Sequence, residues 1–281
     1  MLPLMHDDIR KMRAIKDAEE IELMRHAQSI TDAAFQHMLG FIKPGMTEKQ
    51  VRNELENFMF ANGADSLAFG SIVASGPNTA NPHAVPSDRV IEKGDFVLMD
   101  YGAGYCDYRS DMTRTVVMGE PTQEQLDLYA LVRRTHEECV AAIHPGVEGN
   151  DIFKLSKKII GDAGYGDRYN HGLGHGVGID IHELPNFNRS KNIIEVGSVI
   201  TMEPGVYLPG VGGVRLEDYG VVTENGYEPS PRPRTTCILS IAKPSIWVFG
   251  GGASGSIRAS RVLFLCARRS RRLQVYNFAR M

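Results

Sequence analysis

Apolar residues recur at helical spacing over positions 17–42, at Ile21, Met24, Ile30, Ala34 and Met38, which predicts an amphipathic helix. Lys43-Pro44-Gly45 stops it, because proline cannot continue the backbone ladder and glycine accepts the turn that follows. Thr47 then stands three residues before Gln50. In that pairing each side chain satisfies a free N–H of the other's backbone at a helix start. The helix begun there carries Val51, Leu55 and Met59 on one face and ends near Asn62-Gly63. The same grammar returns further on. Thr122 and Gln125 open a helix that runs to about Ile143, His144-Pro145-Gly146 stops it, and another helix starts near Asn150 with Ile152, Leu155 and Ile159. Setting Pro44-Gly45 on Pro145-Gly146 is a shift of 101 positions and puts Val51 on Ile152. This is a faint internal repeat of helix, Pro-Gly turn, helix and strands.

Residues 95–103 and 109–117 are apolar-rich runs around a Gly/Tyr/Asp turn near Cys106, and they predict a hairpin. Residues 198–202 and 214–222 predict further strands. Helix pairs alternating with antiparallel strands indicate an α+β domain whose helices cover one face of a sheet.

Composition changes this picture at one place. The 281 residues, 42% hydrophobic and 23% charged, suit a globular domain. The net charge of −3 conceals an asymmetry: residues 229–281 hold ten Lys and Arg and no acid, while the first 228 hold 21 basic and 34 acidic side chains. An acidic body gives no reason to expect nucleic acid as a partner. The chain therefore divides into a catalytic domain, 1–230, and a divergent basic tail, 231–281, expected to be poorly packed, with a basic interaction arm as the alternative. Cys106, Cys139, Cys237 and Cys266 show no CxxC spacing and are expected as free thiols in a reducing compartment. No charged leader precedes an apolar run, and no run approaches the ~18 apolar residues that span a bilayer. A cytoplasmic protein with no membrane partner is the expectation.

The candidate chemistry lies in and beside the strands. Asp100 sits inside Leu98-Met99-Asp100-Tyr101-Gly102, where a carboxylate is costly unless paired. Asp111 follows in Ser110-Asp111-Met112-Thr113-Arg114. If the turn centres near Cys106, the two aspartates fall opposite each other, and facing like charges need a cation, a shared proton or a basic partner. Arg114 is a candidate for that partner. The run His171-Gly172-Leu173-Gly174-His175-Gly176-Val177-Gly178 presents two imidazoles on a backbone free to approach its neighbours closely. It lacks the register and the following Lys-Ser/Thr of a phosphate cradle, whereas His is the commonest protein metal ligand. Glu203 and Glu217 stand at the ends of apolar runs. Four clustered carboxylates repel pairwise by ~4 kcal/mol at an effective dielectric of about 20. One or two arginines cannot offset this, and two dications can.

With Pro82-His83, Met99-Asp100-Tyr101-Gly102, Ser110-Asp111-Met112-Thr113-Arg114, the His171–Gly178 run, Asp180-Ile181-His182-Glu183-Leu184-Pro185, Glu203-Pro204-Gly205-Val206-Tyr207 and Val214-Arg215-Leu216-Glu217-Asp218, the chain resembles the pita-bread metallopeptidases, in their Xaa-Pro branch of proline dipeptidases and aminopeptidases P. The resemblance covers about residues 9–230. It implies a creatinase/aminopeptidase-like α+β fold of two pseudo-symmetric halves, with a curved antiparallel sheet covered by helices. It also implies two divalent ions, manganese first, with cobalt, zinc or iron as alternatives. Asp100 would bind the first, Asp111 and Glu217 would bridge both, and His175 and Glu203 would bind the second. A metal-bridging hydroxide would attack the bond before proline. Glu203 would also carry protons, and His83 and His182 would hold the substrate carbonyl and its oxyanion. His171, Tyr207 and Arg215 would line the pocket or orient ligands. The implied partners are small peptides with proline in second position, with a homodimer as the candidate assembly. Such relatives usually carry an N-terminal domain before the helix that starts here near Asp17. Methionine aminopeptidase shares the ligand set, and non-catalytic pita-bread domains bind peptides or proteins. Val206-Tyr207 and the Gly-Gly-Val-Arg-Leu-Glu-Asp segment favour the proline branch.

Overall fold

The computed structural model describes residues 3–188 and 191–229, and in addition the backbone of 238–240, 263–266 and 274–275. Helix α1 (Pro3–Ala14) precedes α2 (Ala18–Phe41), which Asp17 caps by accepting from the Glu19 and Glu20 amides. The chain then turns at Gly45 into α3 (Glu48–Ala61), whose capping box is Thr47 with Gln50. Strands β1 (Ser66–Leu67), β2 (Ile72–Ser75), β3 (Phe96–Tyr101), β4 (Ala103–Tyr105), β5 (Tyr108–Arg109) and β6 (Met112–Val117) follow. Then come α4 (Gln123–Ala141), boxed by Thr122 and Gln125, and α5 (Gly149–Asp162). The second set of strands is β7 (Gly174–Gly176), β8 (Glu183–Phe187), β9 (Val199–Met202), β10 (Gly205–Leu208), β11 (Gly212–Arg215), β12 (Asp218–Thr223) and β13 (Gly226–Pro229).

The repeat seen as a Pro-Gly echo is structural. Gly45 and Gly146 have φ of 95° and 88°, a left-handed backbone that glycine adopts without steric cost. Gly45 N–H donates to the Ile91 carbonyl and Ile91 N–H to Met46; Gly146 and Ile194 repeat this, with Val147 accepting. The isolated bridges Thr47 to Val90 and Glu148 to Ile193 also correspond. In the first half β3 lies between β2 and β6, antiparallel to both; in the second β9 lies between β7 and β12, again antiparallel to both. The isolated bridge Thr113 to Glu217 joins the halves.

Strand alternation decides what faces where. Val97, Met99 and Tyr101 of β3 pack with Met38, Val51, Leu55 and Met59 of α2 and α3. Ile200 and Met202 of β9 pack with Val132, Ile152 and Ile160 of α4 and α5. Each such side chain contributes about 1.5–3 kcal/mol when fully buried. Successive side chains point to opposite faces, so Asp100 and Thr113 on one half, and Thr201 with the following Glu203 on the other, face away from the helices.

Three expectations change. The segment 95–117 is not one hairpin: β4 and β5 form a smaller hairpin between β3 and β6, turned at Cys106 and Asp107 with φ of 46° and 67°. Consequently Asp100 pairs with Thr113, and Asp111 is its diagonal neighbour on the same face rather than its direct opposite. The predicted strand 214–222 is broken at Leu216-Glu217 into β11, paired with β10, and β12, paired with β9. The expected basic tail lies outside the described residues, apart from strand backbone at 238–240, 263–266 and 274–275, of which 238–240 runs parallel to β6. No described helix is long and apolar enough to cross a membrane.

Candidate metal centre and active site

Asp111, His175 and Glu217 each offer a ligand atom within 4.8 Å of the others. They line a cavity of about 190 Å³ together with Asp100, Glu203, His83, His171, His182 and Arg215, and with the apolar side chains of Phe69, Ile72 and Ile181. Asp100 and Glu203 lie beside that triplet rather than within it. Asp100 Oδ2 accepts from Arg215 Nη2 at 2.5 Å, and Glu203 Oε1 lies 3.7 Å from His175 Nε2, which is itself 3.6 Å from Asp111 Oδ2.

The two halves deliver these groups from matching places. Asp100 is the fifth residue of β3, and Glu203 immediately follows β9. Thr113 and Glu217 meet at the bridge between the halves, where Glu217 N–H donates to the Thr113 carbonyl at 3.1 Å and Thr113 Oγ1 donates to Glu217 Oε2 at 2.7 Å. His175 reaches the cavity from β7, and the glycines around it serve backbone approach. A Cβ at Gly174 would come within 2.2 Å of the Thr201 carbonyl oxygen, and one at Gly176 within 2.0 Å of that of Leu184. The Gly-rich run thus packs between neighbouring strands.

The electrostatics describe a site short of positive charge. Burial raises Asp100, Asp111 and Glu217 above the usual carboxylate range. For Asp111 the charges of Glu217, Asp100 and Glu203 add to the shift, and Arg215 opposes it at Asp100 without cancelling it. Glu203 is pushed up to about 8, first by burial. One buried oxygen each of Asp100 and Asp111 has no hydrogen-bond partner, and such atoms call for a cation or a proton. Burial and then the His182 ring lower His175 to about 4. Its neutral imidazole donates from Nδ1 to the Gly176 carbonyl at 3.1 Å, which leaves the Nε2 lone pair directed at the carboxylates. Oxygen-rich donors with one neutral imidazole fit a divalent ion.

Around this centre Arg215 organises a network. It donates to Thr113 Oγ1 (3.0 Å), Tyr207 OH (3.0 Å) and the Pro82 carbonyl (3.2 Å) as well as to Asp100. Tyr207 OH donates in turn to His171 Nε2 at 2.7 Å. Burial, then the Arg215 charge, lowers His171 to about 3. His83 and His182 are both exposed, at the rim of the cavity. Arg114 is not the partner of the aspartates: it donates to the Glu217 carbonyl at 2.5 Å and to Asp218 Oδ1 at 2.6 Å, and Arg215 pairs with Asp100 instead. β6 alternation turns Arg114 away from the cavity. Thr113 received no role from the sequence, although its place between Asp111 and Arg114 was the available signal.

The sequence matches metallopeptidase family M24 over residues 22–224. The chain belongs to this family. It is 47% identical to the uncharacterized peptidase YqhT of Bacillus subtilis and 43% identical to an Xaa-Pro dipeptidase of Pyrococcus furiosus. Each alignment covers 78% of this chain, and 63% and 64% of the respective relative. The chain therefore spans less than two thirds of either relative. An X-Pro aminopeptidase structure from Thermotoga maritima superposes with a TM-score of 0.79 at 38% identity, over 82% of this chain and 66% of that one. The M24 chain thus has the pita-bread fold expected of it, and its family implies divalent metal ions at a site for which Asp111, His175 and Glu217 are suitable donors.

Proposed function

We propose that this chain hydrolyses the peptide bond between an N-terminal residue and a following proline, using two divalent ions, with manganese as the first choice and cobalt, zinc or iron as alternatives. The observation that carries the reading is the convergence of Asp111, His175 and Glu217, flanked by Asp100 and Glu203, in one cavity with orphaned carboxylate oxygens. In this reading Asp100 would serve one ion, His175 and Glu203 the other, and Asp111 and Glu217 would be shared by both. The ions would supply Lewis acidity toward the attacking water and the scissile carbonyl.

The chain's own groups do the rest. Glu203, in the cavity beside His175, can take a proton from the attacking water and hand one to the leaving proline nitrogen. That nitrogen belongs to a tertiary amide without an N–H, so the substrate must be held through its carbonyl side. His83 and His182 stand at the cavity rim to donate to that oxygen as charge develops on it. Phe69, Ile72 and Ile181 offer apolar wall for the proline ring. The names of the Pyrococcus furiosus and Thermotoga maritima relatives support the proline assignment, and free thiols at Cys106 and Cys139 go with a reducing, cytoplasmic setting.

The test is parallel assay of metal-reconstituted protein on a Gly-Pro dipeptide, an Xaa-Pro-Xaa peptide and a Met-Ala-Xaa peptide. Cleavage of either proline substrate, and which of the two is faster, is the expected result and separates dipeptidase from aminopeptidase. Preference for Met-Ala-Xaa would replace the proline reading with methionine aminopeptidase.

A further inference from the structure

The loop of residues 177–182, between β7 and β8, carries His182 to the cavity rim. His182 meets His175 edge to face, with ring centroids 4.4 Å apart, a contact that by itself does not fix the directions of the His182 ring nitrogens. What decides their direction is how the loop is anchored. Gly178 N–H donates to the Asp180 carbonyl at 3.1 Å, and Arg109 N–H to the Gly178 carbonyl at 2.9 Å. Val177 N–H donates to the Val199 carbonyl at 3.0 Å and Arg109 Nε to the Ile179 carbonyl at 3.3 Å, and a further anchor is Glu183, the first residue of β8 and 7% exposed. Its carboxylate accepts the Asp180 amide at 3.0 Å and Lys16 Nζ at 3.0 Å, and it also accepts from the Arg13 guanidinium, which binds Asp180 Oδ2 at 2.7 Å as well. Lys16 is 5% exposed, and its backbone is tied to the Gly197 carbonyl at 2.9 Å. A Cβ at Gly178 would lie 2.6 Å from Glu183 Oε2, so the loop backbone is wrapped directly over the carboxylate.

A lysine and a glutamate this deep contribute little net stability over an apolar pair, because desolvating both charges offsets their attraction. Their value lies in where they hold the chain. We propose that Arg13, Lys16 and Glu183 form a clamp that positions His182 over the carboxylate cluster. Arg13 and Lys16 are then positioning residues for the reaction, although both precede residue 22, where the family match begins. Because the clamp fixes a loop and touches no metal donor, its loss acts on His182 and leaves the ligands in place.

The kinetic part of the test rests on the Xaa-Pro reading above; the exchange part does not. The pair Lys16→Met with Glu183→Gln removes both charges at similar volume and keeps an acceptor for the Asp180 amide. It is made in the wild type and in a His182→Ala background, with metal content checked in each. In the wild-type background kcat for an Xaa-Pro peptide should fall on the order of 10–10²-fold with KM little changed, the scale of a small misplacement near the chemistry. In the His182→Ala background the pair should cause no further fall, since the group it positions is gone. Hydrogen exchange at Gly178 and Asp180 should quicken, and Lys16→Arg alone should keep most of the activity. An equal fall in both backgrounds, unchanged kcat, or unchanged exchange would each overturn the clamp. A wild type that cleaves no Xaa-Pro peptide would sink the functional reading by itself, while the exchange measurement would still decide whether the clamp holds the loop.

Discussion

At the scale of single residues, His182 is the sharpest probe of the proposed chemistry. It lines the cavity without being one of the converging donors. Replacing it with alanine should lower kcat by about 10²–10³-fold, the usual loss for one oxyanion donor, while KM and metal content hold. Steady-state kinetics with metal analysis checks this, and full activity in the variant would remove His182 from the mechanism. The carboxylates predict a pH effect. Asp100, Asp111, Glu203 and Glu217 are all raised in the fold, so the folded protein stripped of metal holds protons that the unfolded chain has lost. For Glu203 that window runs from 4.5 to about 8. The carboxylates' contribution to the stability of the stripped protein should therefore be fully present below this range and be lost as pH rises through it, while the lowered His171 and His175 contribute with the opposite sign below 6.5. Metal binding should release protons across the same range, so affinity rises with pH. Melting curves of stripped and reloaded protein, with calorimetry in buffers of different ionisation enthalpy, test both signs. The candidate donors themselves were legible in the sequence, because carboxylates in apolar strands and a histidine among glycines are chemically conspicuous. Arg114, a candidate partner of the aspartates, faces elsewhere because a side chain's face depends on strand register, which composition does not specify.

At the scale of elements, the helix boundaries were legible because capping is local: Thr47 with Gln50 and Thr122 with Gln125 each close within four residues. The acid at the start of α3 was not. Glu48 is fully buried, and its carboxylate accepts from the backbone and side chain of both Ser75 and Ser87 and from Asn78 Nδ2. It thereby ties α3 to the segment around His83. Glu48→Gln turns one acceptor oxygen into an amide facing donors, and should cost about 1–3 kcal/mol. Chemical denaturation measures this, and a midpoint equal to wild type would show that the cluster adapts. The strands were legible as apolar runs, but not their breaks. The run 214–222 reads as one strand in the sequence, yet the chain changes partner at Leu216-Glu217, from β10 to β9, and that change is what brings Glu217 to the bridge with Thr113.

At the scale of the whole molecule, the two halves are joined at the site itself. Each half contributes acids to it, with Asp100 and Asp111 from the first and His175, Glu203 and Glu217 from the second. All of these precede Pro229, as do both helix pairs. A chain cut after Ser230 should therefore still fold and bind metal, as circular dichroism and metal titration would show. Loss of soluble protein on truncation would mean that strand 238–240 beside β6 completes the sheet.

By itself the sequence determined part of the local grammar: where α2, α3, α4 and α5 start or stop, that the apolar runs around β3, β6, β9 and β12 are strands, a faint recurrence of helix, turn and helix, and which side chains are chemically out of place. These follow from spacing, capping and the cost of burying charge, all of which act over a few residues. Only the tertiary structure decided which partners those side chains take. Asp100 meets Arg215, Arg114 meets Asp218, and Lys16 meets Glu183 across 115, 104 and 167 positions of chain. Such pairings depend on strand register and on the packing of one half against the other, and a shift of one residue would turn each side chain to the opposite face.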